Sequence, residues 1–300
     1  MKELFIGPWA KKPRDEQERR GAKIARAAVK VTASGSLVSP VAVAVVDILG
    51  MTDLLNRMPL DEIAKKIAEP FFDGPRRRAG LHDPGVTRHQ LMKLGFREGA
   101  ATFAAMIGDM MILCRRPEWE EGDTVFAAAA AVSWLAQSTC KAISFNSRLG
   151  IWLRAAIAYG ECIISAAGHD VMLGLPVREA IHWERRQEWI GGMLTPSATE
   201  TLRAAVTKAK LANGPGFVAA GSNFLVNYEV PLKACPEHPP PRPLIALNWT
   251  SIFGTEFLLG HSEPPMPEPP PPPPVRRKIE NTIAFCRAFK DSGLTSILEF

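Results

Sequence analysis

Residues 41–50 read VAVAVVDILG, and this stretch decides the fold. Val41–Ile48 is β-branched, nearly unbroken in hydrophobicity and closed by Gly50, the pattern of a strand rather than a helix. A run without polar alternation predicts a central strand covered on both faces. Its one carboxylate, Asp47, stands at the C-terminal end. A helical segment is expected next, with Thr52 placed to cap a first turn, Pro59 interrupting, and LDEIAKKIAE running on to Pro70.

Working outward, Thr102–Ile107 and Met110–Cys114 predict a hairpin that turns at Gly108-Asp109. Thr124–Phe145 is alanine-rich and free of Gly and Pro, which predicts a buried helix. Trp152–Glu161 predicts another strand. Pro176–Ile190 predicts a helix opened by a proline and stopped at Gly191-Gly192. A helix over Ser197–Ala212 and strands over Phe224–Leu232 and Leu244–Trp249 follow. The order β-α-β-β-α-β predicts an α+β fold with a ferredoxin-like core, extra C-terminal strands and a terminal helix.

The flanks divide the chain further. Residues 1–36 predict an N-terminal helical extension, with its helix around Arg14–Val31. Residues 37–250 form the main domain, with an insertion at about 70–100. The segment 251–276 predicts a proline-rich, semi-rigid linker. Residues 277–300 carry a terminal helix whose apolar face, Ile279, Ile283, Ala284 and Phe285, is expected to dock on the body or on a second subunit.

Bulk properties exclude several classes. The 300 residues are 46% apolar and 22% charged, an ordinary globular composition. The net charge of +5, from 36 basic and 31 acidic residues, suits an anionic ligand such as a nucleotide and is too weak to imply a nucleic-acid partner. Five cysteines without a CxxC pair argue against a disulfide framework or a zinc site. The longest apolar runs fall short of the roughly 20 residues of a membrane span, and the polar N-terminus is no signal peptide, so no membrane partner and a cytoplasmic location are expected. No HExxH, GxSxG or Walker lysine loop occurs.

Two acids border apolar strands, Asp47 in VAVAVVDILG and Asp109 in MIGDMMIL. In a ferredoxin-like sheet the first strand and the following hairpin can lie side by side, which brings the two carboxylates to one edge. Two hard oxygen ligands suit Mg²⁺ or Mn²⁺, and such a site serves phosphoryl chemistry. Ile48, Leu49, Gly50, Met51 and Thr52 form a turn into a helix, where backbone N–H groups can cradle phosphate.

These residues carry a resemblance. DILGMTDLL (47–55) and IGDMMIL (107–113) resemble two motifs of the class III adenylate/guanylate cyclases, D-I-x-G-F-T and I-G-D before an apolar strand. LRAAIAYGE (153–161) and MLGLPVREAIHWE (172–184) are similar to later segments of that family, in the same order. The resemblance spans roughly residues 40–195. It implies a nucleoside triphosphate ligand, a divalent metal on Asp47 and Asp109, and a site formed between two subunits, hence a homodimer. It also exposes departures. The base-reading positions map to Ala105 and Leu175, and the transition-state positions to Arg178 and His182. Arg178, Arg185 and Arg186 are expected on a solvated helix face, from which an arginine can supply a cation. The resemblance therefore supports a nucleotide cyclase-like protein, with a catalytically inactive module for regulation, sensing or dimerisation as the alternative.

Overall fold

The computed structural model describes residues 30–31, 37–51, 55–56, 59–63, 103–107, 109–117, 124–148, 151–164, 172–211, 224–234, 244–250 and 272–292. Its spine is β2, Leu37–Leu49, which pairs with β4 (Met110–Arg115) on one side and β5 (Trp152–Ile164) on the other. β3 (Phe103–Ile107) completes the expected hairpin with β4. The order β3-β4-β2-β5 is antiparallel throughout, as a ferredoxin-like core requires. Beyond β5 the sheet continues through β7 (Gly191–Leu194), β9 (Ile245–Leu247) and β8 (Leu225–Asn227), while β1 (Lys30–Val31) and β6 (Met172–Gly174) pair with β2 and β5.

The unbroken apolar run of β2 is explained by cover on both faces. Val41 to Val46 are wholly buried. Ala42, Ala44, Val46 and Ile48 face a large core with α2 (Thr124–Arg148) and α4 (Pro196–Leu211). Val41, Val43 and Val45 face the other way, toward Ala180, Val177 and Ile181 of α3 (Leu175–Arg186). Small side chains on β5, Ala155, Ala156 and Ala158, leave room for these layers. The first crossover contains a short helix, α1 (Leu60–Ile63). Among the described residues no helix is long and apolar enough to cross a membrane.

Several expectations are corrected. Gly191-Gly192 opens a strand instead of ending a helix. α3 ends at Arg186, and β7 runs parallel to β5. The glycines serve close approach: a Cβ on Gly192 would lie 2.5 Å from Leu247 Cδ1, so the backbone of β7 sits where no side chain fits. The late strands are shorter than expected, and Leu232 makes only an isolated bridge to Gln187. Lys30 and Val31 are strand, not the end of a helix. The rest of the N-terminal extension, the 70–100 insertion and 251–271 of the linker lie outside the described residues.

The terminal helix, α5 (Pro273–Ser292), begins inside the proline run. Prolines are tolerated in a first turn because their missing N–H would have no intrahelical partner there. α5 docks on the body through Ile279, Thr282 and Phe285, whereas Ala284 faces solvent. Phe285 meets Trp189 and Tyr228 edge-on, each at 4.8 Å between ring centres. Truncation of this fully buried ring should cost about 3–5 kcal/mol. Chemical denaturation of Phe285→Ala checks this; a loss below about 1 kcal/mol would mean α5 is peripheral to the fold.

Candidate functional site

Sheet pairing sets the site. Asp47 lies opposite Met110 on β4 and Arg154 on β5. The Ile48 N–H donates to the Asp109 carbonyl at 3.1 Å, which ties the end of β2 to the β3–β4 turn. The two acids singled out in the sequence are therefore neighbours, Asp47 half-buried and Asp109 exposed. Asp47 feels Asp109 as a charge that raises its pKa.

The phosphate-cradling turn is placed only in part. Ile48 turns its side chain into the core and its N–H to Asp109, so that N–H is directed away from any ligand. Gly50 ends the strand with φ 79, a left-handed conformation that favours glycine, and is exposed. Met51 packs on the core, and Thr52 lies outside the described residues.

The sequence reading missed the group that organises the site. Arg154 is buried on β5 and fans across three partners. Its Nη2 donates to Asp47 Oδ2 at 3.2 Å, its Nε to Glu184 Oε1, and its Nη1 to the Gln187 carbonyl at 3.1 Å. Glu184 comes from the inner face of α3 and is 2% exposed. Gln187 is locked in turn: its Nε2 donates to Ala155 O at 2.8 Å and its Oε1 accepts from Trp189 Nε1 at 2.8 Å. A signal was present. Arg154 is the lone charge in the apolar stretch Trp152–Tyr159, as Asp47 is in its own strand, and the pairing register sets one against the other.

Burial raises the Asp47 carboxyl above its ordinary value of 3.8; Arg154 opposes the shift and Asp109 adds to it. Glu184 is raised above 4.5, again first by burial, with Arg154 opposing and Asp47 adding. Lys278 of α5 lies within electrostatic reach of both carboxylates.

α3 distributes the remaining candidates. Arg178 and His182 stand one turn apart and both are exposed, as is Leu175 at 76%. His182 meets the Trp183 ring edge-on at 5.9 Å. Arg185 is exposed as expected, but Arg186 is not: it is buried, with its guanidinium 4.6 Å over the Trp183 ring. Ala105 falls on β3, opposite Ile112.

The donors fit a hard divalent cation. Two adjacent carboxylates repel one another, and a cation between them relieves that repulsion. Arg154 engages Oδ2 of Asp47, and Glu184 also hydrogen-bonds the Asp47 side chain. Among the described residues no group of three or more His, Cys, Asp or Glu converges, so the remaining ligands would be water, backbone or phosphate oxygens, the usual complement of Mg²⁺.

No protein-family model matches the chain. No curated protein matches it. Among solved structures it is similar to the adenylyl cyclase CyaB from P. aeruginosa, at 15% identity over 56% of this chain and 83% of that one, with a TM-score of 0.40. It is also similar to the guanylyl cyclase Cya2, at 12% identity over 70% and 91%, with a TM-score of 0.38. A third is the catalytic core of a rhodopsin-guanylyl cyclase in complex with ATPalphaS, at 12% identity over 69% and 94%, with a TM-score of 0.41.

Removing Arg154 leaves the half-buried Asp47 and the buried Glu184 without their shared cation. Arg154→Met should cost about 3–5 kcal/mol at neutral pH. An acid whose folded pKa is raised contributes stability that is complete below its unfolded pKa and declines as pH rises through the folded value. Without Arg154 both carboxyls rise further, so the cost of the substitution should shrink as pH falls toward 3.8 and 4.5. Denaturant unfolding across pH checks this. A cost independent of pH would show that the ion pairs are not its source.

Proposed function

We propose that this chain binds a nucleoside triphosphate together with Mg²⁺ or Mn²⁺, with Asp47 and Asp109 holding the cation. One observation supports the proposal: the Ile48 N–H donates to the Asp109 carbonyl, which ties the end of β2, next to Asp47, to the turn that carries Asp109. The resemblance of residues 47–55, 107–113, 153–161 and 172–184 to class III cyclase motifs supports the same reading. The bound cation would neutralise phosphate charge and lower the barrier to attack at phosphorus. Turnover, where it occurs, is ring closure: the ribose 3′-oxygen bonds to the α-phosphorus as the bond to pyrophosphate breaks.

A second reading, binding without turnover, is favoured by specific observations. Asp47 already carries Arg154 on one oxygen. Leu175, Arg178 and His182 stand exposed where a working cyclase would keep its base-reading and transition-state groups. Losing such an electrostatic clamp costs orders of magnitude in rate. We further propose a homodimer, supported by the exposed apolar side chains Ile163 and Leu173, which face each other between β5 and β6, with Leu175 just beyond.

Thermal shift with each of the common nucleoside triphosphates, with and without Mn²⁺, tests the proposal. Metal-dependent stabilisation is expected of the wild type and should vanish in Asp47→Ala. At a ligand concentration of about 100 Kd the stabilisation amounts to roughly 2.7 kcal/mol. No shift with any nucleotide overturns it. Mass spectrometry of the same incubations then separates the two readings, because a cyclic nucleotide product excludes the silent one.

A further inference from the structure

α5, which begins inside the proline run, packs beside the candidate site, and its position there is fixed at several points. Thr282 Oγ1 accepts the Ile190 N–H at 2.8 Å. Asn281 Nδ2 donates to the Glu188 carbonyl at 2.6 Å, and Arg277 pairs with Glu188 at 3.6 Å. Phe285 is sealed among Trp189, Tyr228 and Trp249. These contacts hold the helix against residues 188–190, immediately after the Glu184–Gln187 segment that grips Arg154.

Lys278 sits one turn before Thr282, whose hydroxyl donates to the Lys278 carbonyl at 2.7 Å. Its ammonium is half-buried, and among the described residues it makes no ion pair or side-chain hydrogen bond. Burial lowers its pKa first; the neighbouring Arg154 and Lys233 lower it further, while Asp47 and Glu184 oppose. Lys233 is brought there by its own N–H, which donates to the Arg186 carbonyl at 2.7 Å. A partly desolvated cation crowded by two others, and paired with neither acid, is arranged for an anion from outside the described residues.

We propose that Lys278, with Lys233 beside it, is the cation that meets the ligand's phosphates, so that the terminal helix completes a polyphosphate subsite next to Asp47. The proposal rests on the nucleotide reading and deepens it. It gives α5 a role in binding as well as in packing. It also supplies, from outside the 47–184 motifs, a phosphate-facing charge that α3 turns toward solvent.

Calorimetric titration of the full chain with inorganic tripolyphosphate, and separately with ATP plus Mn²⁺, tests this. Tripolyphosphate should bind the wild type. Lys278→Ala should weaken it about tenfold or more, as loss of a charge-assisted hydrogen bond does. Lys278→Arg, which keeps the charge and guards against misfolding, should stay within about threefold. Arg276→Ala, which removes an exposed charge from the same helix, should leave binding unchanged. The proposal is overturned if the wild type does not bind tripolyphosphate, if Lys278→Ala binds like the wild type, or if Arg276→Ala weakens binding as much. Lys278-dependent tripolyphosphate binding without any Mn²⁺-dependent ATP binding would uphold the subsite and overturn the nucleotide reading.

Discussion

A guanidinium buried inside a sheet must satisfy its donors or destabilise the fold, and Arg154 does so at the junction of β2, β5 and α3. Taking such a cation out of water costs several kcal/mol unless the geometry returns it. Here it is returned by Asp47, Glu184 and the Gln187 carbonyl together. Asp47 comes from β2, and Glu184 and Gln187 come from the end of α3. Slipping β2 against β5 by one residue would turn Asp47 to the other face and leave the charge unpaired. The same bonds hold the end of α3 against the sheet. Such pairs are weak evidence for net stability, but here the pair specifies the register on which the site depends.

That constraint shapes the site's electrostatics. Burial raises the Asp47 pKa, Arg154 on its Oδ2 opposes that rise, and the exposed Asp109 adds to it. Lys278 and Lys233 add positive charge on the side where α5 arrives. Under the proposed function the carboxylates would serve a cation and the lysines an anion, the charge arrangement a metal–polyphosphate complex needs.

Much of the fold was legible because its strongest signals are local. The apolar run of β2, the hairpin at Asp109 and the alanine-rich α2 were each readable from periodicity, and their order gave the ferredoxin-like arrangement. β7 was not. Gly191-Gly192-Met193-Leu194 is too short for periodicity, and Gly192 answers to the side chain of Leu247, more than fifty residues away. The acid pair was legible because each member stands alone beside an apolar strand. The Arg154–Glu184 bond was not, because Glu184 looks like any helical glutamate until α3 is laid on the sheet. Arg186 illustrates the same failure: an arginine next to Arg185 reads as solvated face, yet it covers Trp183. Long-range packing decides these cases, and a single sequence carries little trace of it.

The central claim is that a divalent cation sits between Asp47 and Asp109 when a nucleoside triphosphate is bound. Paramagnetic Mn²⁺ reports its own position by broadening nearby amide resonances. With a non-hydrolysable nucleoside triphosphate present, sub-stoichiometric Mn²⁺ should broaden the amides of Ile48, Asp109 and Met110 first. Broadening centred elsewhere, or none that depends on the nucleotide, would contradict the account.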